Sequence, residues 1–292
     1  MGVLLVGLGI VYSAGFGEAS HEIDRIYDSP PEEALRVLFV GNSHTFVHDV
    51  PGTVQRFGAA AETPIWVEQH VVGGASLRQH WQNRDVHRRI ADGRWDYVVL
   101  QEQSLRPAFD QRGYVEDVGR FSGLIRRHGA EPVVYATWPR ARGNQFYRES
   151  SRYDTQDGLR TALDRAFRQA QTTYTMRIAP VSSAWKVYEN GASDAALTAA
   201  DGNHATHAGA YLAAAVIFQA LTGQEASGLA VERSGVSSAL RRELRGAADR
   251  GTTAWEERWT SEKDASDAVE EDAVQPPRDP DDQSGSRPGA TR

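Results

Sequence analysis

The sequence contains no cysteine, which excludes disulfides, thiolate zinc sites and a cysteine nucleophile together. Lysine occurs only twice, at Lys186 and Lys263, and the thirty arginines are scattered among carboxylates. The clustered basic face that nucleic acid requires is therefore missing, and no nucleic-acid partner is expected. No G-x-G-x-x-G follows the first apolar run and no phosphate-binding lysine stands near it, so neither a dinucleotide site nor any other cofactor is expected. Repeats of the solenoid or propeller kind are absent. Long apolar runs are scarce too. Residues 1–17 are uncharged and largely apolar, but too short for a stable membrane span. The small residues Ser13, Ala14 and Gly15 after that run fit a secretory signal, whereas the lack of a basic n-region fits an uncleaved start. A secreted or cell-envelope location and a cytoplasmic one both stay open.

What is present is an ordinary globular chain. Its 292 residues are 40% hydrophobic and 24% charged, enough for one sizeable core, although length alone would also allow two domains. The net charge is −7, and residues 261–292 hold nine Asp/Glu against four Lys/Arg, so most of the imbalance sits in the tail. That tail is rich in Pro, Ser and Gly and poor in large apolar groups, and is expected to be disordered. The division expected is an N-terminal segment at 1–30, a main domain at 34–250 and the acidic tail at 261–292.

Within the main domain, residues 36–40 (R-V-L-F-V) read as a buried strand running into a turn at Gly41. Strand and helix patterns then alternate: helix 51–62, strand 65–72, helix 77–91, strand 97–100, helix 114–128, strand 132–137, helix 156–172 and strand 176–179. Thr206 reads as an N-cap, residues 207–221 as an almost wholly apolar helix, and Gly223 as its stop. Residues 236–250 suit a further amphipathic helix. Five strands in this alternation imply a parallel sheet, and right-handed crossovers place helices on both faces. The fold class expected is α/β, a three-layer α/β/α sandwich.

Gly41-Asn42-Ser43-His44-Thr45 follows the first strand directly, which puts Ser43 at the carboxyl end of a strand, where open α/β sheets bind ligands. Taken alone, the motif also fits a glycine turn with Ser43 as a polar cap. Asp201-Gly202-Asn203-His204 precedes the last apolar helix, and a three-residue separation across a turn can bring the carboxylate to one imidazole nitrogen. The other nitrogen is then free for a serine hydroxyl, the orientation that a general base needs. The same residues fit an Asx turn, or a metal site formed by Asp201, His204 and His207. The separate-loop placement of Asp and His and the G-x-S-x-G elbow of α/β-hydrolases are not found. Around the expected rim, His44 and Trp138 are the candidates for substrate contact.

Together these blocks resemble the SGNH/GDSL-like hydrolase superfamily over about residues 36–223: G-N-S-H-T at 41–45, G-G-A-S-L at 73–77 and D-G-N-H at 201–204. The resemblance implies a flavodoxin-like hydrolase fold. It also implies a serine esterase or acetylesterase with Ser43 as nucleophile, His204 as base and Asp201 as its orienter. The oxyanion donors it implies are the amides of Ser43 and Gly74 plus a side chain after Leu100. The family's G-x-N-D is replaced here by Gln101-Glu102-Gln103-Ser104; Gln103 stands at the Asn position, with Gln101 as the alternative. The substrate expected is a short-acyl, O-acetyl ester of a carbohydrate or small molecule. An O-acetyltransferase, or a carbohydrate-binding module without turnover on the same fold, is the alternative.

Overall fold

The structure, a computed structural model, describes residues 21–191 and 194–274, with side chains described to residue 260. Residues 1–17, read above as a secretory signal or uncleaved start, lie outside the described residues. Five strands form the sheet: β1 (Leu35–Gly41), β2 (Ile65–Val71), β3 (Tyr97–Leu100), β4 (Glu131–Tyr135) and β5 (Arg177–Ala179). All pairings are parallel, in the order β2-β1-β3-β4-β5. Val37, Leu38, Phe39 and Val40 of β1 are all fully buried, as expected for a parallel strand covered on both faces.

The helices are α1 (Ser43–Phe46), α2 (Val50–Ala60), α3 (Leu77–Gln82), α4 (Arg84–Asp92), α5 (Arg106–Phe109), α6 (Gln111–Arg127), α7 (Phe146–Glu149), α8 (Gln156–Tyr174), α9 (Val181–Glu189), α10 (His207–Thr222) and α11 (Ser238–Val274). Helices α2, α9 and α10 pack as one contacting set, and α3, α4, α5, α6 and α8 as another. The chain moves from β1 outward to β2 and then back across β1 to β3. Right-handed crossovers therefore put the two helix sets on opposite faces. The result is the expected three-layer α/β/α sandwich, with its crevice at the carboxyl ends of β1 and β3, where the strand order reverses.

The helix expected over 77–91 is two helices. Asn83 closes α3 through its backbone N–H to the His80 carbonyl, and its side chain accepts from Asp85 N at 2.8 Å to start α4. An Asn side chain competes in this way for the backbone and turns a continuous apolar pattern into a corner. Helix α10 is apolar all round because it is covered on both sides. Phe57 of α2 meets Tyr211 and Phe218 at 5.2 and 5.6 Å, while Arg245 of α11 donates to the Tyr211 hydroxyl at 3.0 Å.

The described residues fall into two compact units, divided after Thr252. The core of the first reaches back to Ile23, beyond the boundary expected at residue 34. The second is the continuation of α11. Residues 261–274, expected to be disordered, are helical, because Ala, Glu and Asp run there without proline or glycine until Pro276. No helix among the described residues is long and apolar enough to cross a membrane.

Candidate active site

The site begins where β1 runs out. A side chain at Gly41 would stand 2.6 Å from both Gln101 Oε1 and Thr45 Oγ1, so only glycine lets the chain pass this close to Gln101. Asn42 then caps α1, its side-chain oxygen accepting from His44 N at 3.1 Å, which leaves Ser43 at the first helical position. The Ser43 and Gly74 amides donate to no protein acceptor among the described residues, and Gly74 is exposed.

Three sequence blocks are bolted together beneath Ser43. Gln101 accepts from Asn42 N at 2.7 Å and from the Thr45 hydroxyl at 3.0 Å, and its amide nitrogen donates to the Glu102 carbonyl. Asn42 Nδ2 donates to Ala75 O at 2.9 Å, and His80 Nε2 to Gly41 O at 2.8 Å. Buried Glu102 accepts from Leu77 N (3.1 Å), Gln103 N (2.7 Å) and Arg106 Nη1 (2.6 Å). Burial lifts the Glu102 carboxyl above its ordinary value, against the pull of Arg106 and the two amides. The structure makes Glu102 a tie between the 73–77 and 101–104 segments. Gln101 is a strut with both ends of its amide engaged. Gln103 Oε1 accepts from Leu105 N and Arg106 N, both at 3.0 Å.

The Asp201–His204 turn reaches the same point from the other end of the chain. Asp201 Oδ1 accepts from the amides of Asn203 (2.9 Å) and His204 (3.0 Å), leaving Oδ2 to accept from His204 Nδ1 at 2.5 Å. His204 Nε2 lies 2.8 Å from Ser43 Oγ and accepts its proton. Burial opposes the charged form of Asp201, but the bonds from the His204 ring and from the two amides outweigh it and hold the carboxyl below its ordinary value. Gly202 adopts φ +67°, with Asn144 Nδ2 2.1 Å from where a side chain would begin, so the turn requires glycine.

His44 and Trp138, expected as substrate contacts, are 4% and 1% exposed. Trp138 stacks on Trp185 of α9 at 4.0 Å and donates from Nε1 to Asn203 O at 2.9 Å. His44 sits between Trp138 and His204, at 4.9 and 5.5 Å between ring centroids. Burial, with His204 and Arg140 adding to it, pushes His44 down to about 3, so it is neutral near pH 7. Trp138 is covered by α9, a helix absent from the expected pattern, through Trp185. His207, the third member of the alternative metal site, meets His48 in a tilted ring contact at 3.9 Å. Among the described residues no group of three or more His, Cys, Asp or Glu is placed to hold a metal ion. A recess of about 770 Å3 lies between residues 21–28 and β2 and contains none of the Ser43, Asp201 or His204 groups.

No protein-family model matches this chain, and no curated protein does. A solved structure described as a candidate SGNH hydrolase, from Slackia heliotrinireducens, is 30% identical. Its alignment covers 64% of this chain and 99% of that one, with a TM-score of 0.57. The chain belongs to the SGNH hydrolases. A DUF4886 family protein from Bacteroides uniformis is 19% identical, with 75% of this chain and 95% of that one covered at a TM-score of 0.65. At that identity the second match speaks for the fold alone. The SGNH fold is that of esterase-type hydrolases, and the residues that carried the resemblance in the sequence lie together at the carboxyl ends of the strands.

Proposed function

We propose that this protein hydrolyses carboxylic esters through an acyl-enzyme on Ser43. The observation that carries the reading is the unbroken relay from Asp201 Oδ2 through His204 to Ser43 Oγ, at 2.5 and 2.8 Å. Asp201 fixes the imidazole with its proton on Nδ1, so the Nε2 lone pair faces the hydroxyl. Ser43 Oγ attacks the ester carbonyl as its proton passes to Nε2. The tetrahedral oxyanion receives the Ser43 and Gly74 amides, with the Gln103 amide nitrogen as third donor. Collapse expels the alcohol, which takes the proton from Nε2; water, deprotonated by the same nitrogen, then releases the acid. The substrate in this reading is a short-acyl ester, an O-acetyl group on a carbohydrate or small molecule.

The test is hydrolysis of p-nitrophenyl acetate by wild type, Ser43→Ala and His204→Ala, with labelling by a fluorophosphonate probe. Activity that both substitutions abolish, together with one label per chain that Ser43→Ala removes, supports the reading. A folded wild type that neither turns over nor takes the label refutes it. Transfer of acetyl to a sugar acceptor in preference to water would move the protein to the acetyltransferases.

A further inference from the structure

The connection from β4 to α8, residues 136–155, leaves the sheet at the carboxyl ends of the strands, as Ser43 does, and lies against the Asp201–His204 turn. Ala141 N donates to Gly202 O at 2.9 Å, Trp138 Nε1 to Asn203 O at 2.9 Å and Asn144 Nδ2 to Asp201 O at 3.1 Å. This stretch carries Arg140, Arg142, Arg148 and Arg152 against two acids, Glu149 and Asp154, in a chain of net charge −7. The last three donate to neutral oxygens, Arg142 to the Gln156 amide at 3.2 Å, Arg148 to the Gly143 carbonyl at 3.3 Å and Arg152 to the Phe109 carbonyl at 3.0 Å, with Arg152 also lying over the Phe109 and Tyr153 rings. None of the four makes an ion pair among the described residues.

Arg140 stands apart from the others, which are exposed, in being half-buried. Its backbone is pinned, the carbonyl accepting from the Tyr147 hydroxyl at 2.6 Å and from Gln156 Nε2 at 3.2 Å. Its guanidinium has no hydrogen-bond partner among the described residues. Asp201 and His44 lie within its electrostatic reach, but both Asp201 oxygens are already taken by His204 and Asn203. A half-desolvated cation with a planar fork of five donors and no acceptor is a ready seat for a carboxylate, which it binds bidentately. The exposed arginines beside it add a positive approach field.

Resting on the ester-hydrolase reading, we propose that the substrate of this site bears a carboxylate, held by Arg140 while the ester carbonyl lies at Ser43. The carboxylate can belong to the alcohol, as in an acetylated uronate, or to the acyl group, as in a succinyl half-ester. Both present the same oxygens to the guanidinium.

The experiment has a binding readout and a kinetic one. Galacturonate, succinate and galactose are titrated calorimetrically into Ser43→Ala and into Ser43→Ala/Arg140→Gln. At least one of the two acids is expected to bind on the order of tenfold more tightly than galactose, as a charge-assisted fork implies, and the second substitution removes that margin. In the kinetic readout, kcat/KM is compared for p-nitrophenyl acetate against mono-p-nitrophenyl succinate, and for O-acetyl galactose against O-acetyl galacturonate. The charged-to-neutral ratio exceeds unity in one pair and thereby locates the carboxylate. Arg140→Gln collapses that ratio, and Arg140→Lys restores part of it. Galactose binding as well as both acids, or a ratio that Arg140→Gln leaves untouched while only the pH profile moves, overturns the proposal and reduces Arg140 to a counter-charge for Asp201. Arg140-dependent binding without hydrolysis of any ester would instead refute the esterase reading and leave the carboxylate seat standing.

Discussion

His80 makes the site acid-sensitive in a way that one substitution isolates. Its ring is 2% exposed, donates from Nε2 to the carbonyl of Gly41 at 2.8 Å, and meets His70 edge-on at 5.3 Å. Burial first, and His70 second, push it from 6.5 down to about 4. Above pH 6.5 the ring is neutral in folded and unfolded chains alike and adds no pH dependence. As the pH falls below 6.5 the unfolded chain takes up a proton that the folded one refuses until about pH 4, so stability is lost over that window. Each unit of pKa corresponds to about 1.4 kcal/mol, which makes the loss from His80 about 3 kcal/mol in total. Gln is neutral throughout and keeps an N–H donor for Gly41, so His80→Gln lacks this term. His44 contributes in the same direction to both proteins and cancels in the comparison. Urea unfolding followed by tryptophan fluorescence at pH 7.5, 6.5, 5.5 and 4.5 measures the difference. Wild type is expected to lose about 1.4 kcal/mol per pH unit relative to His80→Gln between pH 6 and 4. A difference that stays constant within about 0.5 kcal/mol across that range would mean that the folded ring titrates normally, and the argument from burial would fail.

Asp201→Asn cannot hold the Nδ1 proton of His204 in the required tautomer. It is expected to lower kcat for p-nitrophenyl acetate on the order of a thousandfold or more with little change in Tm; retention within threefold would remove Asp201 from the mechanism. Gln101→Ala strips acceptors from the buried Asn42 amide and Thr45 hydroxyl, at a cost of about 2–4 kcal/mol. In a protein of this size that lowers Tm by roughly 4–8 °C, and an unchanged melting curve would show that water replaces the strut.

The main features of the fold can be read in the sequence because its signals are local. The apolar run of β1 ends at a glycine that close packing requires, and α10 has both its Thr206 cap and its Gly223 stop. The spacing of Asp201 and His204 is likewise a local fact of one turn, and the structure carries that turn to Ser43. What escaped the sequence depends on partners far along the chain. The apolar positions Leu77, Val86 and Ile90 look continuous, and only the two-sided role of Asn83 divides them. Trp138 reads as a rim residue until Trp185, 47 positions later, stacks on it. Glu102 carries no mark of its role, because its partner Leu77 N lies 25 residues back. Residues 261–274 read as part of the tail because the prolines and glycines of that segment, all beyond residue 275, colour its whole composition.

Ser43 and His204 are 161 residues apart, in the first and last connections of the α/β layer, and this separation sets an order of events during synthesis. Strand β1 and the Ser43 turn after it leave the ribosome early, but His204 reaches the Ser43 hydroxyl only once the Asp201–His204 turn has emerged and α10 has packed on α2. A chain halted before residue 204 lacks the imidazole that the proposed mechanism places on Ser43, however well its sheet has formed. Docking of α10 is thus the step that completes the Asp201–His204–Ser43 array.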